Sequence, residues 1–178
     1  NGQGKIKMEI DQQGSFSMFG DVEILQGAYN FTLLNIVNKE FGLQPNSYIH
    51  WSGDPYGAQL DITATYTQKA SLSPIFGAQA DSSLINAPEM RRGYPVQVLM
   101  NLQGNLLSPD ITFGIDVKDY PNAIMVNGAP VLLESYVAGF EQRMLNDEQE
   151  LSKQVFSLIV LKKLSPENAF SGISQSAG

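Results

Sequence analysis

Residues 53–67 read GDPYGAQLDITATYT, and from Ala58 to Thr67 apolar and polar side chains alternate without a break. Ala58, Leu60, Ile62, Ala64 and Tyr66 fall on one side; Gln59, Asp61, Thr63, Thr65 and Thr67 fall on the other. A strand sends successive side chains to opposite faces, so the stretch predicts a sheet element with one apolar and one wet face. At a rise near 3.3 Å per residue it would reach about 33 Å, longer than a typical strand. An apolar row of that length needs cover. Whether protein or a foreign molecule supplies it is the functional question.

The same pattern extends to both sides. Upstream, Ile6, Met8 and Ile10 alternate, the Asp11 to Gly14 segment reads as a hairpin turn, and Phe16, Met18, Val22 and Ile24 continue the row. Gln26-Gly27 interrupts it before Tyr29, Phe31 and Leu33 resume, and residues 35–44 are read as irregular. Pro45-Asn46 marks a turn into Ser47, Ile49 and Trp51. Downstream, residues 68–95 carry prolines and small residues and are expected to form a long loop. Val96, Val98, Met100 and Leu102 then restart alternation, and after a turn at Ser108-Pro109-Asp110 it continues through Ile111, Phe113, Ile115 and Val117.

Past Tyr120-Pro121-Asn122 the period lengthens. Leu132, Leu133, Tyr136, Val137, Phe140 and Met144 follow helical spacing, with Pro130 placed in the first turn. A second helix is expected after a cap at Asn146 or Asp147, with Glu148 and Glu150 early and Lys162 and Lys163 late. Its run Val155 to Leu161 is apolar nearly all round, which predicts burial against the sheet or a partner. The tail after Pro166 is expected to fray. The chain is thus read as mainly β, with a long antiparallel-rich sheet over residues 4–118, a loop and helices over 119–166, and a tail over 167–178, all in one domain.

Composition narrows the function. With 11 basic and 18 acidic side chains the net charge is -7, and the Arg91-Arg92 pair is the one basic cluster. Nucleic-acid binding rests on clustered cations that neutralise phosphates, so it is not expected, and anionic membrane surfaces are disfavoured on the same ground. The absence of cysteine removes disulfides, thiolate metal sites and cysteine catalysis. No run approaches the roughly 18 apolar residues of a membrane span. Residue 1 is Asn and alternation is already under way at Ile6, so the chain is read as a segment of something longer.

Individual polar residues give little. His50 stands alone, so a multi-histidine metal site is excluded, and a triad would need Ser47 or Ser52 and Asp54 brought together from a strand whose neighbours diverge. Asp54 and Asp61, or Asp110 and Asp116, read as turn or solvated carboxylates rather than a glycosidase pair. Neither a cofactor nor a catalytic residue is expected. The informative set is collective: Leu60, Ile62, Tyr66, Val96, Val98, Met100, Leu102, Ile111, Phe113 and Ile115, a row that by pattern alone reads as the core of a β-sandwich or helix-covered sheet and, with the resemblance that follows, as the lining of an apolar groove.

Three stretches together resemble one known family: residues 20–74, with WSGDPY ahead of the alternating strand; NLQGNLLSPDITFGIDV at 101–117; and LNDEQELSKQVFSLIVLKKLSP at 145–166. The chain is similar to the C-terminal domain of the TamB family, the periplasmic subunit of the bacterial translocation and assembly module, in a form like that of Bacteroidetes. The resemblance implies a twisted sheet folded lengthwise into an apolar trough and a periplasmic location within a protein anchored in the inner membrane. It further implies an outer-membrane barrel partner of the TamA type and a role in outer-membrane assembly and phospholipid movement. Docking or chaperoning through exposed sheet edges is the alternative reading.

Overall fold

The computed structural model describes residues 1–33, 37–77 and 81–166. It is mainly β, with an eight-stranded antiparallel sheet, a separate two-stranded sheet and C-terminal helices. By compactness the chain forms two units, Asn1–Tyr66 with Leu99–Phe113, and Thr67–Val98 with Gly114–Gly178.

In the first unit, β1 (Gly2–Ile10) pairs with β2 (Phe16–Ile24), joined by a turn in which the Asp11 carboxylate accepts from the Gln13 and Ser15 amides. Those bonds favour the charged form and hold its pKa below the usual carboxylate value. β1 and β2 approach closely at Gly20: a Cβ there would lie 2.1 Å from the Lys5 carbonyl oxygen, and its φ of 127° suits glycine alone.

β2 runs on into β3 (Gly27–Leu33), and β4 (Val37–Leu43) into β5 (Ser47–Gly53), so two long strands lie side by side with a break part-way. Ile24 faces Ser47 and Gly27 faces Leu43, which leaves Leu25 and Gln26 opposite Gln44, Pro45 and Asn46. Two residues against three make an irregularity of the β-bulge kind, and here it inverts the parity of the outer strand. Even positions of β2 (Met18, Val22, Ile24) share a face with odd positions of β3 (Tyr29, Phe31). The interruption at Gln26-Gly27 is this switch. β4 corrects the expected irregular segment at 35–44; positions 34–36 lie outside the described residues.

β6 (Gln59–Ala70) is the central strand; its first part pairs with β5 and the next with β4. β7 (Tyr94–Asn105) pairs with β6 and β8 (Asp110–Val117) with β7. β3 and β8 are therefore terminal strands of the path β3-β4-β6-β7-β8. Yet the rings of Phe31 and Phe113 stand 5.8 Å apart, edge to face. The sheet curls about its apolar face until these two ends touch, without pairing into a closed barrel.

In the second unit the expected loop over 68–95 is corrected: β6 extends to Ala70, and a 3-10 turn (Ser73–Phe76) and short helices α1 (Ser82–Ile85) and α2 (Pro88–Arg91) follow. A hairpin of β9 (Ala123–Val126) and β10 (Ala129–Leu132) then turns through Asn127 and Gly128, both at positive φ. Pro130 therefore lies in β10 and not in a helix. α3 (Leu133–Asn146) buries Leu133, Val137, Phe140 and Met144, and Phe76 meets Tyr136 at 4.8 Å. Asp147 caps α4 (Glu148–Phe156), accepting from the Glu150 amide, as its residue type predicts.

A π-helical turn (Ser157–Leu161) ends the helix, with Lys162 in the left-handed conformation. Leu158 and Ile159 are wholly buried, whereas Phe156 and Leu161 keep exposed surface, so the run is less enclosed than its composition predicts. Gln154 ties the following chain down: its Nε2 donates to the Ser165 carbonyl at 2.7 Å and its Oε1 accepts from the Ser165 amide at 3.0 Å. Removing the amide leaves two buried backbone groups unpaired. Gln154→Ala is expected to cost about 2 kcal/mol in urea unfolding. The expected fraying after Pro166 falls on 167–178, outside the described residues.

Candidate functional site

The sheet register assembles one continuous apolar face. From β6 outward, Leu60 is opposite Ile49, Ile49 opposite Val22, and Val22 opposite Gly4. Met18 is opposite Met8 and Phe16 opposite Ile10. The reverse face is polar and cross-linked: Gln3 to Glu23 at 2.8 Å, His50 Nδ1 to Asp21 at 2.6 Å, Thr63 to Asn101 at 3.1 Å and Gln103 to Asp61 at 3.3 Å. These pairs fix which side is wet.

Accessibility changes along the apolar face. Of the ten residues expected to line a groove, Leu60, Ile62, Val96, Val98, Met100, Leu102 and Ile115 are buried by the chain itself, Tyr66 and Phe113 are half-buried, and Ile111 is exposed. In the first unit, Phe41, which is wholly buried, lies 5.8 Å from both Phe31 and Tyr66, and Lys39 stands 5.5 Å above the Tyr66 ring. The outer strands are open. Met8 is 64% exposed, Ile10 73% and Phe16 42%. The most accessible apolar side chains of this face are thus Met8 and Ile10 on β1, followed by Phe16 on β2, Ile111 on β8 and Tyr29 on β3, and the alternation of Ile6, Met8 and Ile10 carried part of that signal.

The polar candidates do not converge. His50 lies within β5 and pairs with Asp21, not Asp54; no serine is among its hydrogen-bond partners. Ser47 is buried and bonded to the Gln44 carbonyl, Asp54 accepts from the Tyr56 amide, and Asp116 pairs with Lys118. Among the described residues no group of three or more His, Cys, Asp or Glu is placed to hold a metal.

Two shallow clefts lie among the described residues. One, of about 490 Å³, runs over the polar face beside Gln3, Lys5, Asp21, Glu23 and Tyr48. The other, of about 670 Å³, lies beside Arg92, Tyr94, Tyr120 and Met125. Burial, with Glu141, Glu134 and Asp116 nearby, pushes the Tyr120 phenol up, so it stays protonated at neutral pH. Neither cleft is lined by a serine, threonine or histidine.

The family model of the TamB C-terminal domain matches residues 1–178, the whole chain. The chain belongs to that family. Comparison with curated proteins finds no match, and comparison with solved structures finds none. Membership gives this TamB domain a role in the translocation and assembly module of outer-membrane assembly, a family that works with an outer-membrane partner on the periplasmic side. Among its described residues, no helix is long and apolar enough to cross a membrane.

Proposed function

We propose that this TamB domain is a non-enzymatic segment of a periplasm-spanning bridge, held to the inner membrane by another part of its protein, whose apolar sheet face shields lipid acyl chains. The observation that carries the reading is the gradient along that face, buried at β6 and β7 and open at Met8, Ile10 and Phe16. In this reading the ten named residues form the inner wall, and the acyl chain lies against the outer strands. Attraction of this kind scales with area and has no preferred direction, so a chain held at about 0.8 kcal/mol per buried CH₂ can still slide.

Met8→Asp combined with Ile10→Asp tests it. Both side chains are exposed, so the thermal melt should stay within a few degrees of the parent. Binding of a fluorescent fatty acyl probe is expected to weaken by about tenfold or more, a loss of at least 1.4 kcal/mol. Unchanged binding in the folded variant refutes the reading.

The second reading is a docking module that pairs through sheet edges with an outer-membrane barrel of the TamA type or its client. It is favoured by β8, which pairs on one side with β7 and, among the described residues, with no strand on the other. Photo-crosslinks from edge positions to the barrel, with none from Met8 or Phe16, would select it.

A further inference from the structure

Two internal chain reversals of the first unit are built alike. Between β5 and β6, the Asp54 carbonyl accepts from the Gly57 amide at 3.0 Å and its Oδ1 from the Tyr56 amide at 2.9 Å. Between β7 and β8, the Asn105 carbonyl accepts from the Ser108 amide at 3.1 Å and its Oδ1 from the Leu107 amide at 2.9 Å. A side chain that bonds the amide two residues on holds a turn of this kind in one conformation. Trp51 braces the first turn, its Nε1 donating to the Pro55 carbonyl at 3.1 Å, and the Leu106 amide ties the second to the Ala58 carbonyl at 2.8 Å. The WSGDPY motif is thus spent on one rigid turn fastened to its neighbour.

What each turn presents, at its third position, is a large apolar side chain turned to solvent: Tyr56 is 69% exposed and Leu107 70%. The charges around them have one sign. The β1–β2 turn lies at the same end of the sheet, since Ile10 pairs with Phe16 and Met18 with Gly53. Residues 11–15, 53–58 and 105–110 contain no lysine or arginine, whereas Asp11, Asp54 and Asp110 are all exposed.

We infer that Tyr56 and Leu107 form a two-pronged docking point for a protein partner whose surface offers an apolar pocket edged by lysine or arginine. A tyrosine on a fixed turn loses little conformational freedom on contact, so its buried area is converted to affinity with small entropic loss. The aspartates supply the complementary rim. They also choose between partners: seating the two tips in a lipid surface would bring Asp54 and Asp110 against anionic headgroups, which repel them. A second copy of this chain, at net charge -7, has few cations to offer. Recognition here runs through side chains at turns, so it depends neither on a sheet edge nor on acyl chains at Met8 and Ile10.

Benzophenone-bearing phenylalanine placed at position 56, at 107 or at the exposed Glu40 of the protein in its own cells tests the inference, with crosslinked peptides mapped by mass spectrometry. Positions 56 and 107 are expected to label one and the same protein, at peptides that carry lysine or arginine beside apolar residues, and position 40 is not. Asp54→Asn with Asp110→Asn removes two charges while an asparagine oxygen can still accept from the Tyr56 amide, so the purified chain should melt within a few degrees of the parent. The same pair of changes should lower the crosslink yield from position 107 by about fivefold or more. Trp51, the one tryptophan of the chain, sits on the turn and serves as the lipid control: brominated phosphatidylcholine vesicles are expected to leave its fluorescence unquenched. Absence of a shared crosslinked protein, contact peptides without cations, a yield indifferent to the asparagine pair, or quenching by the vesicles overturns the inference. Loss of acyl-probe binding in the Met8 and Ile10 variant alters none of these outcomes.

Discussion

Val98→Asp is expected to abolish the cooperative thermal transition of this domain. Val98 is 0% exposed, as are Val96 and Met100 on the same side of β7. A carboxylate there loses its water, at a cost of several kcal/mol, and the valine packing is lost as well. That is a large share of the roughly 5–15 kcal/mol that holds an ordinary domain together. Circular dichroism against temperature checks it: a variant that melts within a few degrees of the parent would show that Val98 is solvent-accessible in solution. The result also decides how the apolar face must be probed. A charge at Val98 would abolish ligand binding by unfolding the protein, whereas charges at Met8 and Ile10 act on surface that the fold leaves open.

Phe41→Ala is the second large effect. Phe41 is wholly buried, and its ring is 5.8 Å from Phe31 and from Tyr66. Truncation removes an aromatic core side chain and both ring contacts, for about 3–5 kcal/mol by chemical denaturation. For a chain of this size the melting temperature should fall by about 10 °C. Phe31→Ala should cost less, because Phe31 is only half-buried. Equal losses at the two positions would contradict the packing described for the curled end of the sheet.

The strands with unbroken alternation, β6, β7 and β8, were legible within a few residues of their ends, because a half-buried sheet writes its period directly into the sequence. β4 was not, and one residue explains it. In Val37-Asn38-Lys39-Glu40-Phe41 the apolar row contains Lys39, which lies on the apolar side with its ammonium over the Tyr66 ring. A cation satisfied by an aromatic face breaks the apparent alternation without breaking the strand.

The β9–β10 hairpin had its Asn127-Gly128 turn in plain view, but Pro130 and the apolar residues after it merged with the helix that follows. α1 and α2 are four residues each, too short to show a helical period. As for the candidate site, alternation named the apolar side correctly and could not say what lies on it. Seven of its ten residues are enclosed by the chain, and the open part sits on strands whose residues follow the same period. Periodicity encodes a face. Enclosure depends on how the sheet curls, which is set by contacts between distant segments such as Phe31 and Phe113.

The Leu25-Gln26 break has a bearing on how this chain can vary. Because two residues there oppose three, the segment works as a phase shifter between two lengths of otherwise regular ribbon. What it must conserve is a count, not a chemistry. Polar or apolar side chains would serve equally well at those two places, whereas the gain or loss of a single residue would move Tyr29 and Phe31 to the polar face and Asn30 and Thr32 to the apolar one. Natural variants should therefore differ freely in identity at 25 and 26 while holding the spacing from Ile24 to Gly27 constant.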